Sequence, residues 1–164
     1  MTTSPSQAPS WAHSDTWRLR GSNFLVEVYR WANASRLPGD GIHHWNVYAY
    51  IYPAHPRFQR FDTSGVSDMY QPATADLPLH GGVSYLEFPQ FNGIITSAKV
   101  GCDYNHLHDD AFAHFATREE ASQVFADAEH LFKVLEAEAA NSEQVAVGRG
   151  GGKVSYGWLP GGAE

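Results

Sequence analysis

Alternating apolar and polar side chains mark two strands in the first third of the chain, at residues 23–31 and 44–52. A period of two residues is typical of a β-strand that buries one face, so both stretches are predicted as strands. The side chains on their predicted buried faces are Phe24, Val26, Val28, Trp45, Val47, Ala49 and Ile51.

A third and a fourth strand are predicted at residues 82–88 and 94–102, joined by a turn that contains Gly93. A two-residue turn would pair Leu86 with a lysine, whereas a three-residue loop with Gly93 at positive φ pairs it with Ala98. A slip of one residue turns every side chain of a strand to the other face. The apolar pattern therefore favours the three-residue loop.

One amphipathic helix is predicted from Thr117 to about residue 140. Thr117 and Glu120 have the spacing of a capping box, in which each side chain accepts a hydrogen bond from the other's backbone. Apolar residues then recur at helical spacing, which predicts a buried stripe. These residues are Val124, Phe125, Ala128, Leu131, Phe132 and Leu135.

These elements predict an α+β fold: a four-stranded antiparallel sheet in meander order, with the C-terminal amphipathic helix packed on one face. Consecutive strands usually lie side by side, which makes the meander the simplest arrangement. The chain is long enough for a single domain with its own core. We expect a flexible leader at residues 1–20, the α+β domain at 21–142 and a Gly-rich flexible tail at 143–164.

Composition favours a cytoplasmic protein. Cys102 is the one cysteine, which excludes an internal disulfide and favours a reducing compartment. The first residues lack the basic and apolar segments of a secretory signal, and no apolar run is long enough to cross a bilayer. No membrane association is therefore expected.

The formal charge of -7 is concentrated in one part of the chain. Residues 1–100 contain seven basic and seven acidic side chains, whereas residues 101–143 contain ten acidic side chains against Arg118 and Lys133, a local balance of -8. Such a surface repels phosphate groups, so no nucleic-acid partner is expected. Its two interpretations are a solvated helix face and an acidic docking surface.

Polar residues from three parts of the chain would meet if the meander is correct, because the second strand ends, the third begins and the fourth ends at the same edge of the sheet. Polar side chains that converge on the rim of a rigid sheet are a common basis for a site. The predicted ligand-binding residues at this rim are His55, His80, Asp103, Tyr104, His106, His108, Asp109 and Asp110.

A metal ion is the first chemistry that this rim suggests. In an extended segment His106 and His108 point to the same side, and His80 and Asp103 would complete a shell for zinc or another divalent ion. The same groups fit general acid and base chemistry. A third interpretation is structural, in which histidines and aspartates hold a loop by hydrogen bonds. Cys102 falls on the apolar face, where a buried and inert thiol is expected.

The opposite face of the predicted sheet is rich in aromatic side chains. One helix covers only one face, so residues 53–78, the N-terminal segment, a second subunit or a ligand must cover the other. A protein partner or a homodimer would use this face. Its apolar members are Leu25, Tyr29, Trp31, Tyr48, Tyr50, Tyr52 and Tyr85.

The runs NVYAYIYPAHP, LPLHGGVSYLEF and VGCDYNHLHDDAFAHFAT resemble those of small uncharacterised proteins from proteobacterial genomes and their mobile elements. The likeness covers residues 23–135. It implies a bacterial or phage-borne accessory protein and assigns no activity or site residue.

Three functions follow as hypotheses. The first is a small binding protein whose rim holds a metal ion or small ligand. The second is an interaction module that blocks or bridges a partner through the acidic helix or the aromatic face. The third is a small metal-dependent hydrolase at the same rim, so whether the protein is an enzyme stays open.

Overall fold

The structure, a computed structural model, describes residues 14–33, 41–64, 68–147 and 157–160. These residues form eight strands, one α-helix and two 3-10 helices. The strands are β1 (Ser14–Gly21), β2 (Phe24–Ala32), β3 (His43–Ile51), β4 (Tyr85–Glu87), β5 (Gln90–Phe91), β6 (Ile94–Ile95), β7 (Ala98–Asp103) and β8 (Leu159–Pro160). The α-helix is α1 (Ser122–Val147), and the 3-10 helices are Pro56–Arg60 and Asp110–His114.

The fold is α+β, with α1 packed against an antiparallel sheet, as predicted. The sheet has five strands rather than four, in the order β4-β7-β3-β2-β1, and β8 adds a two-residue strand beyond β1. The meander order is wrong, because β7 lies between β3 and β4. The chain therefore leaves β3, crosses to the far edge as β4 and returns to fill the position between them.

Burial explains this order. The side chains of β7 on the core face of the sheet are almost fully buried, whereas the three residues of β4 are partly or fully exposed and β4 has only one neighbour. A central position buries a strand against two neighbours, so the more apolar β7 takes it and the short β4 forms the edge. The buried side chains of β7 are Ala98, Val100 and Cys102.

The hairpin between β4 and β7 differs from the predicted loop. At its tip, Phe91 pairs with Ile94 across a two-residue Asn92-Gly93 turn, and Gly93 has the predicted positive φ, at 77°. At its base Leu86 pairs with Val100, not with Ala98. The second strand has one residue more than the first between these two pairs, which is a bulge. The bulge restores the apolar face that a tight turn alone would have reversed.

The first strand, β1, was missed. It pairs along its full length with β2 through a two-residue turn in which Asn23 has a φ of 63°, and its Leu19 is buried. The predicted leader, residues 1–20, therefore ends inside the sheet, and residues 1–13 lie outside the described part. Trp17 and Leu19 of β1 alternate with Arg18 and Arg20, which is the pattern of a strand that buries one face.

The predicted tail also returns to the domain in part. β8 pairs with Trp17 and Arg18 of β1, and the ring of Trp158 lies 5.1 Å from that of Phe125. Its Nε1–H donates to Glu129. Residues 148–156, which include the glycine run, lie outside the described part of the chain.

The helix α1 confirms the predicted amphipathic helix, but it begins at Ser122 rather than at Thr117, after a turn in which the Ala121 N–H donates to the Thr117 carbonyl at 3.0 Å. Thr117 Oγ1 accepts from Glu120 N at 3.2 Å and Glu120 Oε2 accepts from Thr117 N at 3.0 Å, which is the predicted capping box. The helix extends to Val147, past the predicted end at residue 140. All six side chains of the predicted stripe are buried, and each large one contributes on the order of 2 kcal/mol to stability.

The connection between β3 and β4 is fixed to α1 by Arg57, whose side chain is 1% exposed. Its guanidinium donates to Glu138 of the helix at 2.8 Å and to Asp76 of the connection at 2.6 Å. It also donates to the Ala73 carbonyl at 2.8 Å. The described part of the connection is thus fixed on the helix side of the sheet, where Phe61, Ala73 and Leu77 join the core.

On the outer face, the Lys99 ammonium lies 4.4 Å from the Tyr48 ring centroid, 5.1 Å from that of Tyr85 and 5.2 Å from that of Tyr50. These contacts shield the tyrosines in part within the chain itself. An interaction role for this face stays a prediction. In the described part of the chain, no helix has the length and apolar character needed to cross a bilayer.

We predict that Arg57→Ala lowers the free energy of unfolding by about 3 kcal/mol or more, because it breaks a buried ion pair and leaves a cavity. Arg60→Ala is the matched control: Arg60 approaches the same two carboxylates but is 43% exposed, so its loss costs less than about 1 kcal/mol. Urea unfolding of both variants measures the difference. Equal losses would contradict the assignment of Arg57 as the anchor.

His55 follows the C-terminal end of β3, at the rim of the sheet opposite to Asp103, and is fully buried. Its Nε2–H donates to the Leu135 carbonyl at 3.0 Å, and its Nδ1 accepts from the Arg57 backbone at 3.1 Å. Both ring nitrogens are therefore satisfied in the neutral form. Burial lowers the pKa of His55 below its usual value, and the neighbouring Arg57 charge adds to this effect.

We predict that stability falls as the pH drops below about 6.5, because the unfolded chain takes up a proton there while folded His55 stays neutral to lower pH. The contribution of neutral His55 to the free energy of unfolding is complete above about pH 6.5 and is lost as the pH falls towards the pKa of His55 in the folded state. The slope of the free energy against pH is at most about 1.4 kcal/mol per pH unit. Urea unfolding at several pH values should give a shallower slope for His55→Gln. An unchanged slope would contradict the role given to His55.

Candidate metal centre

Two turns at one rim of the sheet bring together His80, His106 and Asp109. The first turn precedes β4, and the second follows β7. Since β4 and β7 are antiparallel neighbours, the start of one strand lies beside the end of the other. This hairpin relation holds in the observed strand order as it did in the meander, so His80 and His106 meet although the predicted order was wrong.

The first turn spans Leu79 to Gly82 and is closed by a hydrogen bond from the Gly82 N–H to the Leu79 carbonyl at 3.0 Å. Its third residue, Gly81, has a φ of 67°. A positive φ at this position is the geometry of a tight turn that favours glycine. The turn presents the His80 side chain towards the residues after β7.

The second turn places His106 and Asp109 three residues apart and face to face. The Asp109 N–H donates to the His106 carbonyl at 2.9 Å, and the Asp109 carboxylate accepts from the His106 N–H at 3.0 Å. The same carboxylate lies 2.8 Å from His106 Nδ1 and 2.9 Å from His80 Nε2. A carboxylate only accepts, so both ring nitrogens donate to it.

Aromatic side chains hold His80 in position. Its ring is stacked on Tyr104, with centroids 4.4 Å apart and planes 11° apart, and it meets the edge of Phe112 at 5.7 Å. The Tyr104 hydroxyl donates to Asp127 of α1 at 2.7 Å. Burial raises the pKa of Tyr104 well above its usual value, and the bond to Asp127 adds to this effect. Tyr104 is therefore a neutral donor that links the rim to the helix.

The three polar groups differ in their exposure. The side chain of Asp109 is 8% exposed, that of His80 28% and that of His106 40%. Burial alone would raise the pKa of Asp109, but the donors from His106 and His80 outweigh it, and the pKa of this carboxyl lies below its usual value. The carboxylate is thus ionised and shielded, while both imidazoles reach solvent.

This arrangement has the donor set of a metal site. One nitrogen from each histidine and one carboxylate oxygen lie within 4.8 Å of one another. Two imidazoles and a carboxylate suit zinc and the divalent transition metals. Tetrahedral ligands at zinc bond lengths are about 3.3 Å apart, so the present nitrogen to oxygen contacts would open by roughly 0.5 Å. Binding would also move the proton of each ring to its other nitrogen.

The remaining predicted residues have other positions. Asp103 accepts from Ser84 Oγ at 2.7 Å and from the Asn105 N–H at 3.1 Å, so it closes the base of the hairpin. His108 and Asp110 are exposed and stand outside the three-residue group. The prediction that His55 belongs to this rim is wrong: because β3 pairs with β7, the end of β3 lies beside the start of β7, at the opposite rim of the sheet.

The metal set predicted from sequence thus differs from the cluster in two members: Asp109 stands where Asp103 and His108 were expected. The prediction assumed an extended segment, in which residues two apart share a side. The segment is a turn, in which residues three apart meet. The sequence contains a signal for this turn, because Asp103 and Asp109 are good turn formers.

Cys102 lies in β7 close to this rim and is 2% exposed, as expected for a side chain on the apolar face. Burial raises the pKa of its thiol to about 12. The thiolate that a nucleophile or metal ligand requires is therefore disfavoured at neutral pH.

Comparison of the chain with protein-family models, curated proteins and solved structures finds no match.

Proposed function

We propose that the protein binds a divalent transition-metal ion, with zinc as the best fit, through His80, His106 and Asp109. The observation that carries the proposal is the convergence of two imidazole nitrogens on one shielded carboxylate at an accessible rim. The two solvent-facing rings give an ion a path of entry, and the ionised carboxylate supplies the charge that attracts it.

The alternative is a clasp that needs no ion. Asp109 already accepts hydrogen bonds from both rings and from the His106 backbone, which is sufficient to join the two turns. The partial exposure of the rings is compatible with both accounts. Only a metal site makes stability depend on the concentration of the ion.

A metal held by three protein ligands keeps at least one position for water or a small donor, which is the pattern of catalytic rather than structural zinc sites. The proposed site is therefore compatible with hydrolysis, the third hypothesis from sequence. The acidic-helix version of the interaction hypothesis has less support, because several acids of α1 have partners within the chain. These pairs are Asp127 with Tyr104, Glu129 with Trp158, Glu136 with Ser22 and Glu138 with Arg57.

We predict that the untagged protein binds one equivalent of Zn²⁺ and that zinc at about 100 times its dissociation constant adds about 2.7 kcal/mol to the free energy of unfolding. His106→Ala should abolish the heat of zinc binding and this stabilisation. His108→Ala is the matched control, since its imidazole is two residues away and outside the cluster. Titration calorimetry and urea unfolding with and without zinc measure both effects.

Absence of zinc-dependent stabilisation in the unaltered protein would contradict the proposal. Equal losses in the His106 and His108 variants would also contradict it, because they would favour the extended His-x-His arrangement over the cluster that includes Asp109.

A further inference from the structure

We infer that Gly81 is the positioning residue of the proposed site: its missing side chain leaves the space that the His106 ring occupies, and this turns His106 Nδ1 towards Asp109. The inference rests on the proposed function for its metal-binding consequence. Its geometric part can be tested without any metal.

The evidence is the close approach of the two residues. A Cβ atom added to Gly81 would lie 2.7 Å from both Cε1 and Nε2 of His106 and 3.2 Å from Nδ1. Contacts below 3.0 Å are essentially never made by real Cβ atoms, so any side chain at position 81 would displace the ring. The adjacent Gly82 also has a positive φ, at 92°, but an added Cβ there meets nothing within 4 Å.

The consequence concerns which nitrogen of His106 is available as a ligand. The Cε1–Nε2 edge lies nearest to Gly81, while Nδ1 is 2.8 Å from the Asp109 carboxylate. His80 in contrast points its Nε2 at Asp109. A bound ion would therefore be held by Nε2 of His80 and Nδ1 of His106. The hydrogen bond to Asp109 also assigns the proton to Nδ1 in the metal-free state.

The turn from Leu79 to Gly82 thus positions both imidazoles. It contains His80, and the His106 ring packs against the backbone of its Gly81. Groups that orient a metal ligand without touching the metal typically change affinity by about 10-fold to 100-fold when they are altered. Gly81 would act on His106 in this way because its lack of a side chain leaves room for the imidazole ring.

The test compares three substitutions. Gly81→Asn adds a Cβ, but asparagine tolerates a φ near 67° better than other residues, so backbone strain is limited. Gly81→Ala adds the same atom with more strain. Gly82→Ala is the matched control, because it strains the same turn and touches nothing. Far-ultraviolet circular dichroism and thermal melting verify that each variant folds.

The first readout is the imidazole nitrogen NMR spectrum without metal. We expect the unaltered protein and Gly82→Ala to carry the His106 proton on Nδ1 and both Gly81 variants to lose this signature. The second readout is Zn²⁺ affinity, which should fall at least about 10-fold in Gly81→Asn and change little in Gly82→Ala.

Retention of the Nδ1 proton in folded Gly81→Asn would overturn the inference, whatever the metal does. Loss of the Nδ1 signature in a protein that binds no zinc in any form would support the positioning role and contradict the proposed function, so the two failures are distinguishable. If Gly82→Ala shows the same losses as Gly81→Asn, strain in the turn rather than contact with His106 is responsible, and the inference is wrong.

Discussion

The insertion of β7 between β3 and β4 is the constraint on which the rest of the structure depends. On one side β7 pairs with β4, which brings the start of β4 and the end of β7 to one rim. The turn with His80 and the turn with His106 and Asp109 meet there because of this pairing. On its other side β7 pairs with β3, which sends the end of β3, and with it His55, to the opposite rim.

The rim that contains His55 and the rim that contains His80 have similar residues but different roles. At the rim of His55, buried Arg57 donates to two carboxylates and a carbonyl, and the histidine has both ring nitrogens satisfied inside the protein. That rim fixes the long connection to α1. At the rim of His80, the carboxylate of Asp109 is shielded while the imidazoles face solvent. Ionisable groups closed from solvent stabilise the fold, whereas groups that remain accessible offer chemistry.

Local patterns in the sequence predicted what depends on local interactions: the strands β2 and β3, the helix with its capping box and the buried face of each. They could not predict which strands pair, because strand order depends on competition for burial among distant segments. In the hairpin, the predicted turn length is also wrong. The bulge allows Leu86 to keep its apolar partner although the turn has two residues rather than three. For the site, the predicted proximity of His80 and His106 depends only on the antiparallel pairing of β4 with β7, which holds although the predicted strand order is wrong. The predicted ligand-binding residues include Asp109 but the predicted metal set does not, because the segment after Asp103 is a turn and not a strand.

The most direct test of the metal centre is anomalous X-ray scattering at the zinc edge from crystals grown with one equivalent of Zn²⁺. The account predicts a single strong peak about 2.0–2.1 Å from His80 Nε2 and from His106 Nδ1, with an Asp109 oxygen at a similar distance. A peak at His108, at Asp103 or at the opposite rim, or no peak beside an intact Asp109 clasp, would contradict it.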